Sequence, residues 1–581
     1  MRRKLPGGYA RYHRRRMPSY LLSWSRPADR LFDITIRFTA PVDEPRLLLP
    51  AWRPGRYLLQ NYAANVREWT AGEAHAWKDG KTSWRVDARA GEEVTFRYRY
   101  YAGVLDAGSS FLDDDEAYFN GTNLFMLVEG LRGEEHRLTV AAPADWLIET
   151  QLPREDDNAF RARDYDHLID STTIAAATLT RHSFTENGAR FHLVFRGDEG
   201  IDTEPYVEPV RAIAKTQARL FGGGFPFREY RFLCHIRDRW HGVEHEDSCS
   251  ILLRRSALLG AKPGDEGFDH TLSIFSHELF HAWNVKRMLP ARFSPYDYWQ
   301  ETPTRLLWAM EGLTSYYGDR TLVQSGVWSE ERYLAHLARE IETLEALPAR
   351  AHLSLAQASF DGWLSDPAQM HDHPNAFFSF YNKGEIVSAL LDLTIRSATE
   401  GAKSLDDVVR LLWEEHGLTG RGMEEDAVER AVARVADVGD FFARYVEGTD
   451  PLPYAESFAT AGVAFTTTAR QPDQSFLGAR LKSQDGALIV ESALRGAAGM
   501  EAGLLPNDEL LALDGNRIAN AAALESAMRG LRLGETAELL VARAGVVRAL
   551  SLTGRPDPRP VVALKIVAPS ELRRTWLGRD E

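Results

Sequence analysis

The segment Ser276-His277-Glu278-Leu279-Phe280-His281 restricts this chain more than any other. It lies in a helical pattern, with Leu272, Phe275, Leu279 and Ala282 on the apolar positions. Histidines four residues apart on a helix stand one above the other on one face, so both imidazoles reach a single metal ion. The glutamate beside the first histidine then faces the water held at that metal and is placed to act as general base. Given 17 His and 83 Asp plus Glu in the chain, roughly 0.07 such matches are expected from composition alone. The segment is therefore read as a metal site, with His277 and His281 as ligands and Glu278 as base.

Such a site needs a third protein ligand and leaves a fourth position for water. Glu311, between Trp308-Ala309-Met310 and Gly312-Leu313, is a lone carboxylate among apolar residues on a predicted helix. An unpaired charge there is costly unless a cation compensates it. From spacing alone, a solvent-facing glutamate on an amphipathic helix fits equally well. Asp319 is a candidate hydrogen-bond partner for a ligating histidine, with a plain surface aspartate as the commoner alternative.

At 581 residues the chain exceeds what one core organises, and about two to four domains are expected. The net charge of -14 argues against nucleic acid or an anionic membrane as partner. No apolar run approaches the ~20 residues of a membrane helix. Residues 1–17 form a basic leader with no apolar stretch behind it, unlike a secretory signal. Translation from Met17 is the preferred explanation, and the expected compartment is the cytoplasm, with periplasmic export left open if the start lies elsewhere. Cys234 and Cys249 are too few for a disulfide framework and are expected to be buried free thiols.

Residues 18–185 read as a β domain: Phe32, Ile34, Ile36 and Phe38 alternate with polar residues, as do Val94, Phe96, Tyr98 and Tyr100. The Asn120-Gly121-Thr122 triplet is read as a turn rather than a glycosylation site. Residues 186–455 turn from strands to long helices, with Leu306, Met310, Leu313 and Tyr317 at helical spacing, and Ile386, Leu390 and Leu393 likewise. Residues 456–471 read as a linker, 472–556 as a small domain of strands and one short helix, and 557–581 as a Pro-rich exit and tail.

The run His277 to Arg287, with Thr304 to Asp319 around Glu311, resembles the core of the glycyl aminopeptidase family of gluzincin zinc metallopeptidases. The resemblance implies a thermolysin-like catalytic domain of α/β and helical parts within a multidomain α+β chain. It also implies one Zn2+ per chain on His277, His281 and Glu311. His241-Gly242-Val243-Glu244-His245 is similar to the family's edge-strand motif. By that likeness Glu244 pairs with the substrate's free α-amine, and the backbone near Gly242 bonds the peptide as an added strand. An ordinary acidic loop is the alternative, and His245 is taken as structural. Tyr381, in Tyr381-Asn382-Lys383-Gly384, is similar to the catalytic tyrosine that supports the oxyanion. His371 and His373 are left as loop histidines. Pro50 to Tyr57 and Phe119 to Thr122 look like recurring segments of the family's N-terminal domain.

The stretch from Phe476 to Ile518 resembles a PDZ domain in the bacterial strand order. The resemblance implies that Phe476, Leu477 and Gly478 form a loop holding a chain terminus, with Leu524 and Met528 lining its side-chain pocket. A covered groove that only docks the domain is the alternative.

The expectation is a zinc aminopeptidase that removes N-terminal Gly or Ala from peptides with a free N-terminus, the small-residue preference coming from the resemblance alone. Two rivals remain: an endopeptidase in which Glu244 does not hold the terminus, and a PDZ-based adaptor without turnover. Glu278 speaks against the second, since a structural zinc site needs no base.

Overall fold

The alternation of Phe32, Ile34, Ile36 and Phe38 becomes the strand Leu31–Thr39, with those four side chains buried and the residues between them at the surface. In the computed structural model, which describes residues 17–365 and 372–578, this strand lies between Ser19–Ser23 and Glu93–Tyr101 in a seven-stranded sheet. Two four-stranded sheets complete the N-terminal part, one around Arg46–Leu48 and Ser83–Val86, the other around Glu116–Asn120 and Thr172–Ala176. Asn120 is fully buried and accepts a hydrogen bond from the Thr172 hydroxyl, a structural role.

The catalytic part is built on a five-stranded sheet ordered Thr180–Glu186, Ala189–Arg196, Glu229–Arg237, Ser248–Arg254 and His241–Glu244. Thr180–Glu186 belongs here and not to the N-terminal domain expected through residue 185. The turn at Asn187-Gly188 folds it back on Ala189–Arg196 as a hairpin. Cys234 and Cys249 are buried free thiols on neighbouring strands of this sheet. Long helices follow, among them Glu266–Phe280, Leu313–Gln324, Glu330–Glu345 and Phe380–Ala398. They share one hydrophobic core, into which the N-terminal domain inserts Trp52 and Tyr57.

The predicted linker and tail are both structured. Residues 456–471 hold most of the helix Tyr454–Thr460 and the strand Val463–Ala469, which pairs antiparallel with Pro560–Ile566 from the supposed tail. The helix Glu571–Leu577 then buries Trp576 and Leu577 completely in the catalytic core. Trp576 Nε1 donates to Tyr316 Oη at 3.0 Å and Arg320 Nε donates to the Trp576 carbonyl at 3.0 Å. The small domain is thus an insertion between two strands of one ribbon. Thr466–Ala469 is exposed, so Val463–Ala469 carries no sustained apolar alternation and reads as irregular chain. The basic leader up to residue 16 and His371 lie outside the described residues. No helix among the described residues is long and apolar enough to cross a membrane.

Candidate active site

The motif helix Glu266–Phe280 packs Leu272, Phe275 and Leu279 into the core and ends with His281 as its C-terminal cap, still in right-handed helical conformation. That geometry keeps the i, i+4 relation, and the two Nε2 atoms lie 3.0 Å apart. His281 Nδ1 sits 2.7 Å from the Asn284 carbonyl, which fixes the ring and leaves Nε2 facing the site.

Glu311 enters on a π-helical turn, Trp308–Gly312, directly before the helix Leu313–Gln324. Its Oε2 is 3.3 Å from His281 Nε2 and 3.7 Å from His277 Nε2. One carboxylate oxygen and two imidazole nitrogens therefore lie within 4.8 Å of one another. This donor set suits zinc, and the cluster requires a positive charge. Burial alone would lower the His281 imidazole, but Glu311, with Glu244 and Glu278, lifts it to about 9.

Tyr57, which has no role assigned from the sequence, also reaches this site. Its hydroxyl donates to Glu311 Oε1 at 2.7 Å, while Oε2 faces the histidines. The ring is fixed by Phe293, Phe380 and Trp363, with centroids 6.0 to 6.3 Å away. The loop carrying it is bolted to the catalytic part through Trp52 Nε1, which donates to the Asp297 carbonyl at 2.7 Å. The residues from Pro50 to Tyr57 held the signal; what Trp52 and Tyr57 bond lies more than two hundred positions away.

Glu278 is buried beside this triad. Burial drives its carboxyl up to about 8; Glu244 and Glu311 add to the rise and His281 opposes it. Its Oε2 has no hydrogen-bond partner among the described residues. Gly242 makes the space for it: a Cβ at position 242 would lie 1.9 Å from Glu278 Oε1. Gly242 and Glu244 sit on His241–Glu244, the outermost strand of its sheet, paired on one side with Ser248–Arg254. An extended peptide can add along the other side.

Glu244 is 4% exposed, and its Oε1 has no partner among the described residues. Glu244, Glu278 and His281 offer atoms within 4.8 Å of each other. Gly55 from the N-terminal domain covers Glu244 so closely that a Cβ there would meet Oε2 at 2.3 Å, and its φ of +77° favours glycine in any case. His245 is structural, as expected, held by Thr172 at 2.6 Å and Asp170 at 3.3 Å.

Tyr381 opens the helix Phe380–Ala398 behind the Ser379 cap and stacks beside His277, centroids 6.4 Å apart. Burial pushes its phenol well above the ordinary range, and Glu311, Glu244 and Glu278 push it further, so it remains a proton donor at neutral pH. Asp319 is not the partner of a ligating histidine. It accepts from Ser273 at 2.6 Å and pairs with His336 at 2.8 Å, while His277 Nδ1 has Ser315 Oγ at 3.4 Å. His336 also reaches Glu385 at 3.3 Å. Neither residue was singled out from sequence, although Glu385 is an isolated acid on an apolar helix.

Residues 19–177 match the Peptidase M61 N-terminal domain, residues 270–387 the M61 glycyl aminopeptidase family, and residues 475–553 a PDZ domain. The two M61 matches take in the N-terminal sheets and the part that carries the histidine motif and Glu311. The crystal structure of an aminopeptidase N family protein from Idiomarina loihiensis is 28% identical with a TM-score of 0.90, covering 97% of this chain and 100% of that one. The crystal structure of an M1 zinc metallopeptidase from Deinococcus radiodurans is 15% identical with a TM-score of 0.45, covering 76% of this chain and 95% of that one. No curated protein matches. The chain is a zinc aminopeptidase with a multidomain α/β architecture and a PDZ region.

In this peptidase the PDZ region contacts the catalytic part through buried Asn375, whose Nδ2 donates to the Ala493 carbonyl and whose Oδ1 accepts from Arg495 N–H. Leu477, Leu524 and Met528 are buried together in the PDZ core. The Phe476 amide is already committed to the Arg555 carbonyl at 2.8 Å, and Arg559 lies over its ring. Of the three loop residues expected to hold a chain terminus, Phe476 therefore does not offer its amide.

Proposed function

We propose that this enzyme hydrolyses small N-terminal residues, glycine and alanine, from peptides, with one zinc per chain on His277, His281 and Glu311. Bound there, zinc supplies a Lewis acid for the scissile carbonyl and for the attacking water. Glu278 accepts the proton of that water and returns it to the leaving amine. Tyr381 donates its phenolic proton in a hydrogen bond to the oxyanion, charge that exists only in the transition state. Glu244 pairs with the substrate ammonium, and the free edge of His241–Glu244 aligns the backbone as an added strand.

The observation that carries the reading is Glu244: a buried carboxylate with an unpartnered oxygen, within 4.8 Å of Glu278 and His281 atoms. A carboxylate so placed requires a cation to enter with each substrate, and an α-ammonium provides one. The preference for glycine and alanine is supported by the glycyl aminopeptidase description of the matched family. The close cover of Gly55 over Glu244 is consistent with it.

The test is cleavage of one Gly-Ala-led peptide, free and N-acetylated, by zinc-loaded protein, followed by mass spectrometry. Release of glycine from the free form alone supports the proposal. Equal cleavage of the blocked peptide defeats it and leaves an endopeptidase.

A further inference from the structure

Beside the metal triad lies a cavity of about 280 Å³ that His277 and Tyr381 help to line and Glu244 does not. Its remaining wall is acidic: Asp319, Glu340 and Glu385 face one imidazole, His336, and no Arg or Lys is among the described lining residues. His336 is already engaged by Asp319 at 2.8 Å and Glu385 at 3.3 Å. Glu340 has no cation in this group; among the described residues its Oε2 accepts only from the neutral Asn382 Nδ2, at 2.6 Å. The other end of that amide, Asn382 Oδ1, is buried and has no partner among the described residues, although Asn382 is only 8% exposed. An orphaned acceptor beside excess negative charge calls for a donor that carries positive charge.

We infer that this cavity receives the side chain of the second residue of the substrate, the one after the scissile bond, and favours a basic one there. The inference rests on the aminopeptidase reading above. With the α-amine at Glu244 and the carbonyl at the triad, the chain runs away from the covered end. It passes His277 and Tyr381, which bound the cavity. The cavity is smaller than the ~300 Å³ at which small-molecule sites begin, a size suited to one side chain. Lys or Arg brings its apolar stem past the two rings and its donors to Glu340 and Asn382.

The test compares the tripeptides Gly-Lys-Ala, Gly-Leu-Ala and Gly-Glu-Ala with the full-length zinc-loaded enzyme, reading kcat/KM from released glycine. The lysine peptide is expected to exceed the leucine peptide by about fivefold, and the glutamate peptide to fall below both. The advantage should shrink as salt is raised. In Glu340→Gln, which keeps shape and the bond from Asn382, the lysine-to-leucine ratio should drop to about twofold or less. Equal cleavage of the three peptides, or an unchanged ratio in Glu340→Gln, overturns the inference and leaves the aminopeptidase reading intact. Failure to release glycine from any of them, or equal cleavage of the N-acetylated lysine peptide, removes that reading and this inference with it.

Discussion

Tyr57→Phe isolates one atom of the N-terminal domain at the centre of the active site. The hydroxyl donates to Glu311 Oε1 at 2.7 Å, and the ring remains supported by Phe293, Phe380 and Trp363. Phenylalanine therefore fills the same space and opens no cavity beyond the lost oxygen. What disappears is a hydrogen bond to a charged group, worth about 1.5–3 kcal/mol, which corresponds to roughly 10- to 150-fold in an equilibrium constant. Losing such an outer partner of a metal-binding side chain typically weakens metal binding about 10- to 100-fold. A zinc Kd raised within that range is expected, measured by competition with a chromogenic chelator on apo-protein whose folding is checked by circular dichroism. A folded variant whose Kd stays within about twofold of wild type would refute the reasoning. Tyr57 would then serve docking and not the orientation of Glu311.

Four further outcomes follow from the same geometry. Glu278→Gln should keep its zinc while losing about 10²- to 10⁴-fold in kcat; substantial turnover would sink the general-base role. Gly242→Ala places a methyl where a Cβ lies 1.9 Å from Glu278 Oε1. Displacing the base by about 1 Å should cost on the order of 10²-fold in kcat, and an unchanged kcat would show that the carboxylate needs no fixed position. Burial would raise the Asp170 carboxyl, but Lys286 at 2.7 Å and His245 outweigh it and hold it well below the usual range. A depressed carboxyl contributes stability that is present above the unfolded value of about 3.9 and is lost as pH falls toward the folded value. Lys286→Met should cost about 3–5 kcal/mol at pH 7 and much less in acid, read from urea unfolding at both pH values; an equal loss at both would contradict the pairing. Trp576→Ala should destabilise the catalytic part by about 3–5 kcal/mol, whereas an unchanged melting temperature would restore the segment after residue 556 to the status of a tail.

The chemistry of the centre was legible in the sequence because it is local. His277, Glu278 and His281 lie within five consecutive positions, and an amphipathic helix is enough to put both imidazoles on one face. The strands around Phe32 and Val94 declared themselves through a period of two, which the buried face of a sheet imposes on any sequence that forms it. The family resemblance extended this to Glu311, Glu244 and Tyr381, and the fold gathers all three around the histidines.

Tertiary structure decided what distant residues do to one another. Tyr57 bonds a carboxylate 254 positions away, Gly55 covers Glu244, and Gly242 yields its side-chain volume to Glu278. The ribbon of Val463–Ala469 and Pro560–Ile566, with Trp576 behind it, turns an apparent linker and tail into parts of the catalytic core. None of these pairings can be read from a period. A hydrogen bond or a shared volume is set by where two segments meet in space, whereas periodicity records only which face of a single segment is buried.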